Sequence, residues 1–195
     1  MHVILVRCQL PHSEGLRLAA ELFCAGREPT LRLHRAAWSG DGDLASVYGR
    51  FAKRTPVTAT QLAAMAKQWR ALCPAAEQID ISRLLLMLDV PGKSHGSFAA
   101  RHYVVKTEPE DGWAEEIARW YDTEHMPGLA AVRGCIHAQR FLNQDSGPRS
   151  LACYDLVSEE PLGSRPWLAV RGTGWSSRVR PHFSNTRRTM MTVMG

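Results

Sequence analysis

Glu124 and His125 close an aromatic run, WAEEIARWYDTEHMP, that extends from Trp113 to Pro127. A carboxylate beside an imidazole is the simplest pair that can move a proton near neutral pH. Burial raises the affinity of the carboxylate for a proton, and a neighbouring imidazolium lowers it, so the balance can set one of the two near neutrality. Chemistry on an enol, a phenol or a lactone needs such a proton acceptor in an apolar pocket. Tyr121 could add a phenolic hydrogen bond to a substrate oxygen, or fill the core with its hydroxyl at the rim. His137 alternates with Cys135, Gln139 and Phe141 on one face of a strand, a composition that suits a pocket wall and equally a solvent-facing surface. These four residues, His125, Glu124, Tyr121 and His137, are the candidate catalytic set.

The element that must position the first three is an amphipathic helix. Trp113, Ile117, Trp120 and Tyr121 recur at one-turn spacing and form an apolar stripe. Glu124 falls one turn after Trp120, in the middle of that stripe, and His125 one turn after Tyr121, at its edge. Arg119 and Asp122 point elsewhere, and Pro127 is expected to stop the helix. The competing reading is structural: an imidazole near a helix C-terminus faces carbonyls that favour a cation, with Glu124 as its salt partner. Tyr103 and His102 lie on opposite faces of their strand, so only one of them can share the side of His137.

The rest of the chain supplies two rounds of the same element order. In the first, His2 to Gln9 reads as a strand buried on both faces, Glu14 to Ala25 as a helix ended by Gly26, and Thr30 to Trp38 and Leu44 to Phe51 as strands around a turn at Ser39 to Asp43. Gly49 weakens the last of these. A helix capped by Thr58 or Thr60 and halted by Pro74 follows, then a strand from Ile79 to Val90. Pro91 to Ser97 is small, polar and breaker-rich. In the second round Ala99 to Lys106, Cys135 to Leu142, Leu151 to Val157 and Thr186 to Val193 read as strands. An irregular helical segment lies between Glu159 and Val179, interrupted by Gly163, Pro166, Gly172 and Gly174. Strand, helix, strand, strand, helix, strand is the split βαβ or ferredoxin-like unit. The expected fold is therefore α+β, in tandem: residues 1–91 as an N-terminal unit, 92–98 as a linker and 99–195 as a C-terminal unit. Each unit leaves one sheet face bare, which a second sheet must cover.

Composition sets outer bounds. The chain has 195 residues, 45% of them hydrophobic, enough for sizeable cores. The net charge of +5 comes without a nucleic-acid motif, so nucleic acid is not the expected partner. Five cysteines, Cys8, Cys24, Cys73, Cys135 and Cys153, are odd in number, sit in or near apolar runs and lack metal-ligand spacing. They point to a reducing, cytoplasmic setting. The N-terminal MHVILVRCQLPH reads as a first strand rather than a signal peptide. No apolar run is long enough to span a membrane. No phosphate loop, nucleophile elbow or metal motif is present in the sequence, so neither cofactor nor metal is expected.

The second half resembles the dimeric α+β barrel superfamily and, within it, the EthD-like proteins. The resemblance rests on Trp120-Tyr121-Asp122-Thr123-Glu124-His125-Met126-Pro127, on Val132-Arg133-Gly134 leading into a strand, and on the tail Arg180-Pro181-His182-Phe183 with Arg187-Arg188. It covers the chain from about Ala99 onward; the first half shares only the order of elements. It implies a barrel built from two sheets, with a pocket inside the barrel or between sheet and helices. Two units could close such a barrel within one chain, giving a monomer, or each could pair with its counterpart in a second chain; a homodimer is the expected assembly, since two-fold association is the commonest solution. Relatives include haem-dependent enzymes, cofactor-free monooxygenases, lactone isomerases and polyketide cyclases, so fold alone does not choose a function. The expected function is that of a small-molecule-binding protein, as a cofactor-free isomerase, cyclase or monooxygenase on an aromatic or lactone compound. The alternative is a ligand-binding or assembly module of the same fold, without catalysis.

Overall fold

The computed structural model describes residues 2–26 and 30–195. Among the described residues eight strands carry the fold: β1 (His2–Gln9), β2 (Leu31–Ser39), β3 (Leu44–Phe51), β4 (Glu77–Pro91), β5 (Arg101–Pro109), β6 (Cys135–Asn143), β7 (Ser150–Leu156) and β8 (Phe183–Val193). They neighbour one another in the order β1-β3-β2-β8-β5-β7-β6-β4 and form an antiparallel barrel. The longer helices are α1 (Leu16–Cys24) and α2 (Ala59–Leu72). The second half carries α3 (Ala114–Trp120), α4 (Met126–Ala130), α5 (Arg165–Arg171) and α6 (Gly174–Val179). Among the described residues no helix is long and apolar enough to cross a membrane. The chain divides into two compact units, residues 1–86 with 143–146 and 191–195, and residues 87–142 with 147–190.

In the first unit β1 is buried on both faces: Ile4, Val6 and Cys8 pack under the helices, while Val3 and Leu5 are equally shielded. This is what a continuous apolar run demands. Trp69 of α2 meets Phe23 of α1 edge-on, with ring centroids 5.5 Å apart. Thr58, not Thr60, caps α2. Its hydroxyl accepts from the Gln61 N–H while the Gln61 side chain accepts from the Thr58 N–H, a reciprocal capping box. Strand β3 runs unbroken through Gly49 because the Leu31 side chain covers that position, about 3.0 Å from where a Cβ would stand.

In the second unit the register of β5 on β7 sets Tyr103 beside Tyr154 and His102 beside Asp155. Directly paired residues share a sheet face, so the two pairs lie on opposite faces. The helical segment between Glu159 and Val179 resolves into a short 3₁₀ turn, Glu160–Gly163, then α5 and α6. Ser164 caps α5 and Thr173 caps α6, each accepting from a backbone N–H three residues on. β8 begins at Phe183, three residues ahead of the expected Thr186.

Pro127 does not end the helix. After α3 the chain makes a wider π-turn, Tyr121–His125, closed by the Met126 N–H on the Tyr121 carbonyl, and then continues as α4. A proline in a regular helix interior removes a hydrogen bond and collides with the carbonyl four residues back. The π-turn shifts pairing to the fifth residue back, and Pro127 occupies the first turn of α4, where its missing N–H costs nothing.

Candidate active site

The π-turn decides which side chains of the aromatic run meet. In an unbroken α-helix Glu124 would stand one turn after Trp120. The wider turn adds a residue, and His125 takes that place instead. Its ring stacks on Trp120 with centroids 4.1 Å apart and planes 24° from parallel, and meets Tyr121 at 5.6 Å. Glu124 is turned aside, where its carboxylate accepts from the Thr173 hydroxyl at 2.6 Å and so reinforces the cap of α6. The carboxylate and imidazole that are adjacent in sequence thus have different partners.

Beneath the π-turn lies a cavity lined by Trp120, Tyr121, His125, Tyr154 and Trp167, with Phe183 and Tyr103 completing an aromatic wall. Each wall residue has a reason to be there. Tyr103 and Tyr154 come side by side from β5 and β7 with rings 6.2 Å apart. Trp167 on α5 meets Tyr154 edge-on at 5.4 Å. Phe183, the first residue of β8, stacks parallel to Tyr121 at 6.0 Å. Trp120, Tyr154 and Trp167 are fully buried and make the floor. Three arginines complete the lining: Arg171 at the end of α5, Arg180 after α6, and Arg188 on β8. The enclosed volume is about 40 Å³, or about 420 Å³ when the crevices and open mouth are included.

Three polar atoms of the lining are unsatisfied. Trp120 Nε1, His125 Nδ1 and Tyr154 Oη are shielded from solvent and have no hydrogen-bond partner among the described residues. Buried polar atoms are normally paired, and three of the unpaired ones belong to residues that line this one cavity. Burial, reinforced by the charges of Arg180 and Arg171, drives the His125 imidazole down to about 3. It is therefore a neutral ring at physiological pH. Burial also pushes the Tyr121 phenol well above its ordinary range, against the opposing pull of Arg140, Arg188 and Arg180. Both side chains are uncharged at rest, and the formal charge in the cavity belongs to the arginines.

His137 lies elsewhere. On β6 it pairs with the Asp89 carboxylate and is 6.1 Å from the His95 ring. By register it shares its sheet face with Asp155 and hence with His102, which is wholly buried and bonded to Asp155 at 2.9 Å. Tyr103 is the residue that reaches the cavity. Of the four candidate residues the structure thus brings two, Tyr121 and His125, into one cavity; Glu124 and His137 do not line it. Arg171, Arg180, Arg188 and Trp167 were not among the candidates. Only the tail Arg180-Pro181-His182-Phe183 with Arg187-Arg188 hinted at two of them in the sequence.

Below the π-turn the Arg140 guanidinium, 4% exposed, grips Asp122 through two 2.9 Å bonds. Removing the carboxylate leaves a cation in a largely dry site. Asp122 is itself 37% exposed, so water offsets part of that loss. Asp122→Ala is expected to cost about 1.5 kcal/mol, between surface and buried pairs, read as the shift in urea midpoint against wild type.

No family model matches the sequence, and no curated protein matches it. Solved structures do match in fold. A candidate monooxygenase from Fusobacterium nucleatum superposes with a TM-score of 0.66 at 8% identity, covering 100% of this chain and 92% of its own. An anthrone oxidase-like protein gives 0.63 at 10%, covering 100% and 91%. A chlorite dismutase variant from Candidatus Nitrospira defluvii gives 0.66 at 8%, covering 100% and 92%. The chain has the fold of these proteins, which belong to the dimeric α+β barrel superfamily. A haem, carried by some members of that superfamily, does not fit this cavity. The macrocycle would have to displace the packed and fully buried Trp120, Tyr154 and Trp167.

Proposed function

We propose that this protein binds a small aromatic compound in the cavity beneath the π-turn and acts on it without a cofactor. His125 takes the proton and Tyr121 orients the substrate. The reading rests on one observation: an aromatic cavity whose lining holds three buried polar atoms, Trp120 Nε1, His125 Nδ1 and Tyr154 Oη, with no partner among the described residues. Fold neighbours named as a candidate monooxygenase and an anthrone oxidase-like protein are in keeping with it. Within the superfamily, the Trp120-to-Pro127 pattern supports an EthD-like assignment, with a ferredoxin-like unit in each half and a homodimer as the working assembly. Light scattering at twice the chain mass tests the last point.

Entry of a ring requires more room than the enclosed space offers. The arginines at the rim are long and flexible, whereas the floor is packed, so opening happens at the rim. Glu124 then acts through Thr173 and the α6 cap, and His137 through Asp89, both as supports at a distance from substrate.

A second reading follows from the acidity of His125. A ring with so low a proton affinity is a weak base, which favours a binding module that carries its ligand unchanged. The experiment that separates the two is to identify the compound that co-purifies with the full chain by mass spectrometry, then follow it on incubation. Conversion by wild type that falls about a hundredfold or more in His125→Gln, the low end for general-base loss, supports catalysis. A compound bound and released unaltered by both proteins establishes the carrier instead. A protein that takes up no aromatic compound overturns the proposal.

A further inference from the structure

We infer that the cavity is a site for an aromatic anion, a flat ring bearing a carboxylate or similar oxyanion, with Arg171, Arg180 and Arg188 holding the negative group at the rim. The inference rests on the ligand-site reading above and goes beyond it by naming the charge of the ligand and the residues that select it.

The argument begins with what the arginines lack. Several arginines elsewhere on this unit are held by carboxylates: Arg178 and Arg119 bind Glu116, Arg101 binds Glu159, and Arg140 binds Asp122. Among the described residues Arg171, Arg180 and Arg188 find no carboxylate partner. The one contact among them is a weak bond, at 3.5 Å, from an Arg180 guanidinium nitrogen to the Arg171 carbonyl. Three like charges converge on one small volume and repel. Burial, then the charges of Arg171 and Arg188, lower the proton affinity of Arg180, which is the electrostatic cost of holding them together. An arrangement that stores repulsion is relieved by an anion, and guanidinium matches the planar two-oxygen geometry of a carboxylate.

Burial orders the site from floor to rim. Trp120, Tyr121, Tyr154 and Trp167 are buried, Arg171 and Arg180 are half-buried, and Arg188 is exposed. A ligand suited to that gradient has a ring directed inward and an anionic group directed out. Guanidinium groups can also stack on an aromatic ring as it passes. The neutral state of His125 belongs to the same picture. An anion that offsets Arg171 and Arg180 removes part of what depresses the imidazole, so a charged substrate restores the basicity of the residue beside it. Binding and proton affinity are then linked in both directions.

The test uses the full chain and calorimetric titration with three probes: benzoate, benzyl alcohol and inorganic phosphate. Benzoate is expected to bind at least tenfold more tightly than either of the others, and less tightly as salt rises. Arg180→Gln should weaken benzoate about tenfold while leaving benzyl alcohol within about twofold, consistent with loss of one charge-assisted contact. Arg178→Gln, an exposed neighbour outside the cavity, should change neither, and circular dichroism checks that each variant folds. NMR of His125 gives an independent readout: its titration should move upward with benzoate bound. Benzyl alcohol binding as well as benzoate overturns the anion inference and leaves the aromatic-site reading standing. Phosphate binding alone overturns the aromatic requirement. Failure of both ring probes overturns the inference together with the reading on which it rests.

Discussion

Gly92→Ala lowers the stability of the protein by about 3 kcal/mol, at the upper end of overpacking penalties, and its melting temperature by about 6 to 12 °C for a chain of this size. Residues just past β4 run directly against the start of β6. The Gly92 N–H donates to the Ile136 carbonyl at 2.9 Å, and Lys93 and Ser94 donate to Ala130 and Cys135 at 2.8 Å. Ser94 also accepts, through its hydroxyl, from the Gly134 N–H. The two backbones approach so closely that a Cβ on Gly92 would lie 2.6 Å from the Cys135 carbonyl carbon and 2.8 Å from the Ile136 carbon, and closer still to the Cys135 oxygen. Those obstacles are backbone, which cannot rotate away. The substitution must either break the three donors or bend β6. Gly163→Ala is the matched control in the same unit: nothing lies within 4 Å of its added methyl, and its melting point should move by less than about 2 °C, as for ordinary surface changes. A Gly92→Ala protein that melts with wild type would mean that the two backbones leave room for a methyl group.

That site also shows what a sequence can and cannot say about this chain. Composition makes Pro91 to Ser97 resemble a flexible connector, because glycine and serine serve equally in loops and where backbones touch. Only the hydrogen-bond partners tell the two apart. Strands were legible where apolar residues run together or alternate, as in β1 and β5, since pairing needs little more than such a pattern. The start of α2 was legible only as a cap at Thr58 or Thr60, and the reciprocal bonds between Thr58 and Gln61 decide for the first. The aromatic run was legible as a helix and not as a π-turn. One residue of slip then exchanged the positions of Glu124 and His125, and no periodicity argument built on 3.6 residues per turn can see it. The arginines of the cavity were least legible of all. Arg171, Arg180 and Arg188 come from three different elements, and their lack of carboxylate partners is a fact of three-dimensional arrangement. In sequence they are part of a mildly basic tail.

His125 makes the folded protein lose stability as the solution is acidified from pH 6.5 toward 4, by about 3 kcal/mol at pH 4 on linkage arithmetic. The sign follows from the direction of its shift. An unfolded histidine titrates near 6.5, whereas the folded ring is held down at about 3 by burial and by Arg180 and Arg171. Above pH 6.5 both states are neutral and the residue contributes nothing to pH dependence. Below it the unfolded chain takes up a proton that the folded chain refuses, so stability falls until the folded ring itself titrates. Carboxylates add their own acid dependence, and the comparison that isolates the imidazole is His125→Phe, which keeps a ring on Trp120 but has no proton to bind. Urea unfolding of both proteins between pH 4 and 8 is expected to show a steeper acid slope in wild type, with the two curves separating below pH 6.5 and running parallel above it. Benzoate at saturating concentration should shift that separation further toward stability in wild type at pH 5, because an anion beside Arg171 and Arg180 lets the folded ring accept a proton. Parallel curves over the whole range would mean that water reaches His125 freely, and the case for a dry, proton-handling pocket beneath the π-turn would go with it.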